Sequence, residues 1–304
     1  MNEIERALLR EVADLHGIPE GSYNIRENGR SLARNSTEEI RIVTKKDKDG
    51  IDVFVQAGLK NRSVHIPVLL TESGFTERVY NDFYIGKDAD VTIVAGCGIH
   101  TDSDEKSRHD GVHTFHLAPG ARVRYVEKHY ADGRGSQKEF MPTTRAYVKK
   151  GAQLVMESTQ LGGVTYTDRK TFVTLCEDAK LVVKEKILTD GEDVAVTRFC
   201  VKLKGKNASA EVISRSVARG SSVQKFYSDL RGESACFGHV ECDGILLDHA
   251  RIVSVPEIDA KSPEASLVHE AAVGKIAGEQ ILKLTTLGLT EKEAEDAIIR
   301  GYLK

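Results

Sequence analysis

Cys242 and the adjacent pair His269-Glu270 stand 27 residues apart within the stretch Gly238 to Ile276 of a 304-residue chain. All three are metal-ligand types. A soft thiolate, a borderline imidazole and a hard carboxylate together suit iron or zinc better than magnesium or calcium. Residue type alone leaves a plainer reading open. A free cysteine is most often a small buried apolar residue, and a His-Glu dipeptide is common. The spacing becomes informative only through the elements that carry these residues.

Other motifs are weaker. His109, His113 and His116 would share one face of a helix, as a zinc triad might, but Gly111 interrupts the run and the surrounding residues read as a strand. On a strand the odd separation sends His113 and His116 to opposite faces, which argues against a triad. Gly96-Cys97-Gly98 lacks the third glycine of a dinucleotide fingerprint. Gly274-Lys275 lacks both the upstream glycine and the following Ser or Thr of a phosphate loop. No nucleotide site is expected in this chain. No Cys-x-x-Cys occurs, so neither a thioredoxin-like redox site nor a zinc knuckle is supported.

An internal repeat describes the elements. Asp88-Ala89, Gly120-Ala121, Gly151-Ala152, Asp178-Ala179 and Asn207-Ala208 each place a turn former before alanine, a polar residue and a run of strand character. Successive alanines fall 27 to 32 residues apart, and a weaker copy, Asp248-His249-Ala250, follows after a longer gap. The runs VTIVAG, VRYVEKHY, LVMEST, LVVKEKI and AEVISRSV are rich in β-branched residues, so they read as strands. A period near 30 residues fits a β-solenoid. An antiparallel sandwich is the competing pattern, although its turns recur at about 8 to 12 residues. In a solenoid, Cys242 and His269 lie about one repeat apart and could share a wall, with Pro256 and Pro263 disturbing the register.

Composition limits the function classes. Lys and Arg number 43 against 46 Asp and Glu, a formal charge of -3, so there is no basic excess of the kind a nucleic-acid surface carries. Hydrophobic residues make up 40%, enough for a continuous core, and aromatic residues only 6%, as suits narrow stacked rungs. Five cysteines, an odd number, accompany an N-terminus that reads as an amphipathic helix with Ile4, Leu8, Val12 and Leu15 on one face, stopped by Gly17 and Pro19. No apolar run is long enough to span a bilayer, so the expectation is a cytoplasmic protein with reduced thiols. At the other end, Gly278 to Leu287 and Thr290 to Leu303 read as a helical hairpin with Gly288 as the stop and Thr290-x-x-Glu293 as a capping box. The hairpin could be a solenoid cap or a docking element. The resulting organisation is an N-terminal helix over 1–20, a solenoid core over 21–265, and a C-terminal strand and helical segment over 266–304.

The run GHVECDGILLDHARIVSVPEIDAKSPEASLVHEAAVGKIAGEQILKLTTLGLTEKEAEDAIIRGYL resembles the C-terminal signature of the SufB/SufD family of iron-sulfur cluster assembly proteins. That signature joins a Cys-Asp, a P-x-I/L-x-A loop, a His-Glu-Ala step and a closing helix pair. IVAGCGIHTDSDEKSRHDGVHTFHLAPGARVRYVEKHY resembles the family's earlier core, which also carries a Gly-Cys. The likeness runs from about Ile40 to the end. It implies a mainly β fold, a right-handed β-helix with a short N-terminal helix and a C-terminal helical hairpin. It also implies a non-enzymatic scaffold that assembles a transient iron-sulfur cluster at a dimer interface, with a SufC-type ABC ATPase docked on the C-terminal helices. By position, the resemblance assigns Cys242, His269 and Glu270 to the cluster site and makes Cys97 a possible acceptor of sulfur from a cysteine desulfurase system.

Some features depart from the family pattern. Only one short helix stands for the large N-terminal helical region, Val268 replaces a frequent acidic residue, and a tryptophan near His129-Tyr130 is absent. A SufB-type cysteine beside the His-Glu pair in one short chain suggests a minimal SufB-like protein forming a homodimer or a SufB/SufD-type heterodimer. One thiolate, an imidazole and a carboxylate per subunit would hold a cluster loosely, since stable clusters usually have four thiolates. Two alternatives stand beside this expectation: a SufD-like subunit that binds the ATPase but no iron, and a β-helix protein acting on carbohydrate, which the scarcity of aromatic platforms argues against.

Overall fold

The computed structural model describes residues 2–304 as a β-solenoid of about eight turns with helices at both ends. The strands form two facing sheets, of eleven and ten strands, and successive strands of the core alternate between them. Neighbouring strands pair in parallel, apart from the hairpins Ser22–Glu27 with Arg30–Asn35 and Ile40–Thr44 with Gly50–Val55 at the N-terminal end. Parallel neighbours one turn apart identify a solenoid and exclude the antiparallel sandwich.

The repeat has a local cause. Asp88, Gly120, Gly151, Asp178 and Asn207 all take the left-handed conformation, with φ between 55° and 71°, which Gly, Asn and Asp tolerate best. Each donates its backbone N–H to the next turn: Asp88 to Pro119 O, Gly120 to Lys150 O, Gly151 to Glu177 O, Asp178 to Lys206 O and Asn207 to Ala235 O. The following alanines, Ala89, Ala121, Ala152, Ala179 and Ala208, are fully buried. A larger side chain there would meet the facing wall of a narrow core. In the weaker copy Asp248 is again left-handed, but Ala250 is only half-buried because the solenoid ends nearby.

Helix α1 (Glu3–Ala13) is capped by Asn2 and Glu5 in a reciprocal box and stops at Asp14, itself left-handed, short of the expected Gly17-Pro19 boundary. Leu8, Leu9 and Val12 pack against Ile25 and Leu69. The helix lies on the strand Asp90–His100, and the glycines of Gly96-Cys97-Gly98 permit it. A Cβ on Gly96 would stand 2.0 Å from the Val12 carbonyl oxygen, and one on Gly98 would meet Leu8 at 3.1 Å. Strand alternation turns Cys97, between them, to the interior.

At the other end the strand Ser266–Gly274 runs in register with Phe237–Leu246 and forms the last rung of the first sheet. Arg251–Ala260 is the last of the second. Pro256 lies within that final strand, at the sheet edge where a missing N–H is tolerated. Helices α2 (Gly278–Thr285) and α3 (Glu291–Tyr302) follow, with Gly288 at φ 97° between them and the Thr290–Glu293 capping box formed as expected. Helix α3 docks through Ile299, with Leu303 just beyond it, on Val217. Helix α2 buries no residue and leaves Leu282 exposed. Among the described residues no helix is long and apolar enough to cross a membrane.

Candidate functional site

Register fixes which side chains share the interior. Reading across the first sheet, Ala95, Glu127, Ser158, Glu185, Ser214 and Cys242 are successive partners and form one inward column. Cys97 lies in the neighbouring column, two residues further along each rung, between Val68 and His129, with Gln160 beyond. The two thiols therefore face the same interior. They are five rungs apart, roughly 24 Å at the usual strand spacing.

Cys242 is buried, and its flanking Glu241 and Asp243 turn to the other face as alternation requires. Burial pushes its thiol up to about 11, with Glu185 and Asp243 adding to the effect and Ser254 opposing it. It is a protonated thiol at neutral pH, and a bound metal would have to displace that proton. The register partner of Cys242 is Ala271, while His269 pairs with Val240. His269 thus lies diagonal to Cys242 on the same inner face. Its Nδ1 is 3.0 Å from Ser228 Oγ, and its Nε2 is buried with no hydrogen-bond partner among the described residues. Burial, reinforced by His239, pulls this imidazole below its ordinary value, so it is neutral. An orphaned, neutral imidazole nitrogen suits a metal.

Glu270 is on the opposite face. It is exposed and lies 3.5 Å from His239 Nε2. The chain therefore brings Cys242 and His269 to one wall and leaves Glu270 outside it. Among the described residues, no three His, Cys, Asp or Glu side chains are arranged to hold a metal ion.

Cys97 has a denser environment. His109 and His129 both hydrogen-bond its sulfur. Burial alone would raise its pKa, but the two imidazoles outweigh burial and bring it down to about 7. Beyond His129, Arg169 donates to both Glu127 and His129 and lies 3.6 Å from Glu185, whose other oxygen accepts from Ser214 Oγ at 2.8 Å. The Glu127 carboxyl is held well below its usual range. Burial opposes this, and Arg169 and His129 outweigh it. His113 donates toward Tyr125 OH at 2.6 Å and is driven by burial to about 4, so it is a neutral structural histidine. His116 points outward and stacks between Tyr84 and Tyr147. The three histidines form no triad, as the strand reading requires.

Arg26, Glu77, Glu127, Arg169 and Glu185 carry this interior and were not singled out in the sequence. A signal was present, since Glu127 and His129 continue the inward phase of Val123 and Tyr125, and Arg169 that of Val173 and Leu175. Charged residues in phase with a buried face mark a polar interior.

Comparisons with known proteins agree with this architecture. A family model described as the SUF system FeS cluster assembly SufBD core domain matches residues 74–302. An iron-sulfur cluster assembly SufBD family protein of Archaeoglobus fulgidus is 27% identical over 90% of this chain and 73% of its own length. One from Methanothermobacter thermautotrophicus is 32% identical over 75% of this chain and 55% of its own length, so the chain spans little more than half of that relative. A third, from Methanocaldococcus jannaschii, is 24% identical over 86% of this chain and 84% of its length.

Proposed function

The chain belongs to the SufBD family of iron-sulfur cluster assembly proteins, and from that premise we propose that it is a cytoplasmic, SufB-like scaffold. In this reading a labile cluster is its cargo, built at the C-terminal end of the solenoid. The observation that carries the reading is the inward pair of Cys242 and His269 on the last two rungs of the first sheet, with His269 Nε2 buried and unpartnered among the described residues. Cys242 and His269 supply one thiolate and one imidazole per subunit. Glu270, on the outer face, serves a cluster only from a rearranged or shared edge.

Sharing is supported by the free edges. Ser266–Gly274 and Arg251–Ala260 end their sheets and expose Val255, Ile258, Val268 and Val273. Unpaired strand edges with apolar side chains favour a second chain, either another copy or a SufD-type partner. The exposed Leu282 of α2 and Leu287 beyond it support docking of a SufC-type ABC ATPase on the C-terminal helices. ATP hydrolysis belongs to that partner, and this chain is not assigned a catalytic role. Its working cycle would open the interface to expose Cys242 and His269. Crosslinks between those positions that form equally with and without nucleotide would contradict this motion. Cys97, poised as a thiolate, accepts sulfur from a desulfurase system.

A SufD-like reading, in which the ATPase is bound but no iron, is favoured by the protonated state of Cys242. Pull-down with a SufC-type ATPase, combined with anaerobic iron-sulfide loading, separates the two. Both bind in the scaffold reading, and only the ATPase binds in the other.

A further inference from the structure

Glu77 and His109 are register partners on adjacent strands of the second sheet, and the His109 ring reaches across the interior to Cys97 on the first. Glu77 Oε1 lies 3.0 Å from His109 Nδ1. The other carboxylate oxygen of Glu77 accepts from Arg26 at 3.2 Å, and that guanidinium is also tied to Gly29 O at 3.0 Å. All four side chains are buried. Val68, Ile99, Ala131 and Phe140 complete the apolar packing around the sulfur. The line Arg26, Glu77, His109, Cys97 has the connectivity of a nucleophile, its base and the group that orients the base.

The charges can be assigned from the contacts. An imidazolium donates from both nitrogens, here one to the Glu77 carboxylate and one to sulfur. Burial pulls the His109 pKa down, but Cys97 and Glu77 outweigh burial and hold it up to about 10. His129 plays a different part. Its Nδ1 lies 3.1 Å from Arg169, which can only donate, and this leaves Nε2–H for the sulfur; burial pulls its pKa down, but Glu127 and Cys97 outweigh burial and raise it. Tyr125 and Glu127 also face the cluster, with Tyr125 OH donating to Glu127 Oε1 at 2.9 Å and Arg169 countering the carboxylate.

We propose that Glu77 is a positioning residue: held by Arg26, it keeps His109 doubly protonated against Cys97 and thereby keeps the thiolate ready to take a sulfane sulfur. This rests on the reading of Cys97 as sulfur acceptor. In the step, the Cys97 thiolate attacks the terminal sulfur of a persulfide R–S–SH. A Cys97–S bond forms, the donor S–S bond breaks, and R–S⁻ leaves with the electron pair while Cys97 holds S–SH. No external oxidant or reductant is consumed. The Glu77–His109 pair stabilises the attacking anion and touches no donor atom.

The test uses the full chain. Thiolate absorbance in the ultraviolet, taken as the difference from Cys97→Ser, is titrated between about pH 5 and 10 for wild type, Glu77→Gln and Glu77→Asp. The expected result is a wild-type step near 7, an upward displacement of at least about tenfold in proton concentration for Glu77→Gln, and recovery in Glu77→Asp. An unchanged step in Glu77→Gln overturns the proposal. Should Glu77→Gln fail to fold, nitrogen chemical shifts of His109 in the wild type decide. Protonation of both ring nitrogens at neutral pH supports the proposal, and a neutral ring overturns it. Inorganic polysulfide with mass spectrometry separates this from the underlying reading. Slower sulfur uptake at Cys97 in Glu77→Gln supports the proposal. Equal uptake in wild type and Glu77→Gln overturns the role of Glu77 and leaves the acceptor reading standing. No uptake on Cys97, with the thiolate step displaced as expected, removes the acceptor reading and with it the functional half of the proposal.

Discussion

His269 and Ser228 meet across the final turn of the solenoid, Nδ1 to Oγ at 3.0 Å, tying the last rung of one sheet to the penultimate strand of the other. If Nδ1–H donates to the hydroxyl, the lone pair of Nε2 is left for a metal, and the ring is aimed as well as restrained. Ser228→Ala removes that orientation while leaving both proposed ligands in place. Anaerobic iron titration of Ser228→Ala should give an affinity about 10 to 100 times weaker than wild type. An unchanged affinity would mean that His269 is not a ligand.

The two glycines beside Cys97 differ in what opposes a side chain. Gly96 faces the backbone of Val12, which cannot move without moving α1, whereas Gly98 meets only side-chain atoms of Leu8 and Val12, at 3.1 Å or more. Gly96→Ala should cost about 1–3 kcal/mol of stability by forcing α1 away, and Gly98→Ala distinctly less. Chemical denaturation of the two variants gives the comparison, and limited proteolysis should release α1 from Gly96→Ala first.

Arg169 neutralises two buried carboxylates. Arg169→Met leaves the buried Glu127 carboxylate without its guanidinium partner and should destabilise by about 3–5 kcal/mol. Adding Glu127→Gln should restore part of the loss, because the stranded charge is then gone. The folded-state carboxyl of Glu127 lies well below its unfolded value. Its contribution is therefore complete above the unfolded carboxylate range, near pH 4 to 5, and is lost as pH falls through the folded value. Wild type should lose stability steeply in acid, and the double variant less so, when denaturation midpoints are compared at several pH values.

Much of the solenoid could be read in the sequence because its turns use a backbone conformation few residues tolerate. Asp88, Gly120, Gly151, Asp178 and Asn207 advertise that conformation, and the alanine after each advertises the confined space behind it. The helical hairpin was equally legible through Gly288 and the Thr290–Glu293 box. The site was less so. Spacing suggested that Cys242 and His269 share a wall, but a rung of 29 residues places Ala271, not His269, beside Cys242, and only alternation over two further residues keeps both inside. That same alternation puts Glu270 outside, a consequence of its adjacency to His269 that residue type alone obscures. The Glu77–His109 contact depends on pairing between strands 32 residues apart and on the two sheets facing each other, which no local motif records.

Cys242 gives a pH dependence of its own. Its thiol is raised from the ordinary value to about 11, so the folded protein keeps a proton that the unfolded chain releases. The associated stability is present below about pH 9 and is lost as pH rises toward 11, by on the order of 2 kcal/mol. Cys242→Ser should flatten that part of the stability profile relative to wild type. Cys200 serves as the control, since its thiol, raised by burial and by Asp229, is common to both proteins.

The most direct measurement is anaerobic reconstitution with iron, sulfide and reductant, followed by visible absorption, for wild type, Cys242→Ser and His269→Ala. A chromophore that forms on wild type, is readily lost to a chelator, and is abolished in Cys242→Ser and weakened in His269→Ala is the predicted result. A chromophore of equal intensity and lability in all three proteins, or none on wild type with the ATPase still bound, would contradict the scaffold assignment.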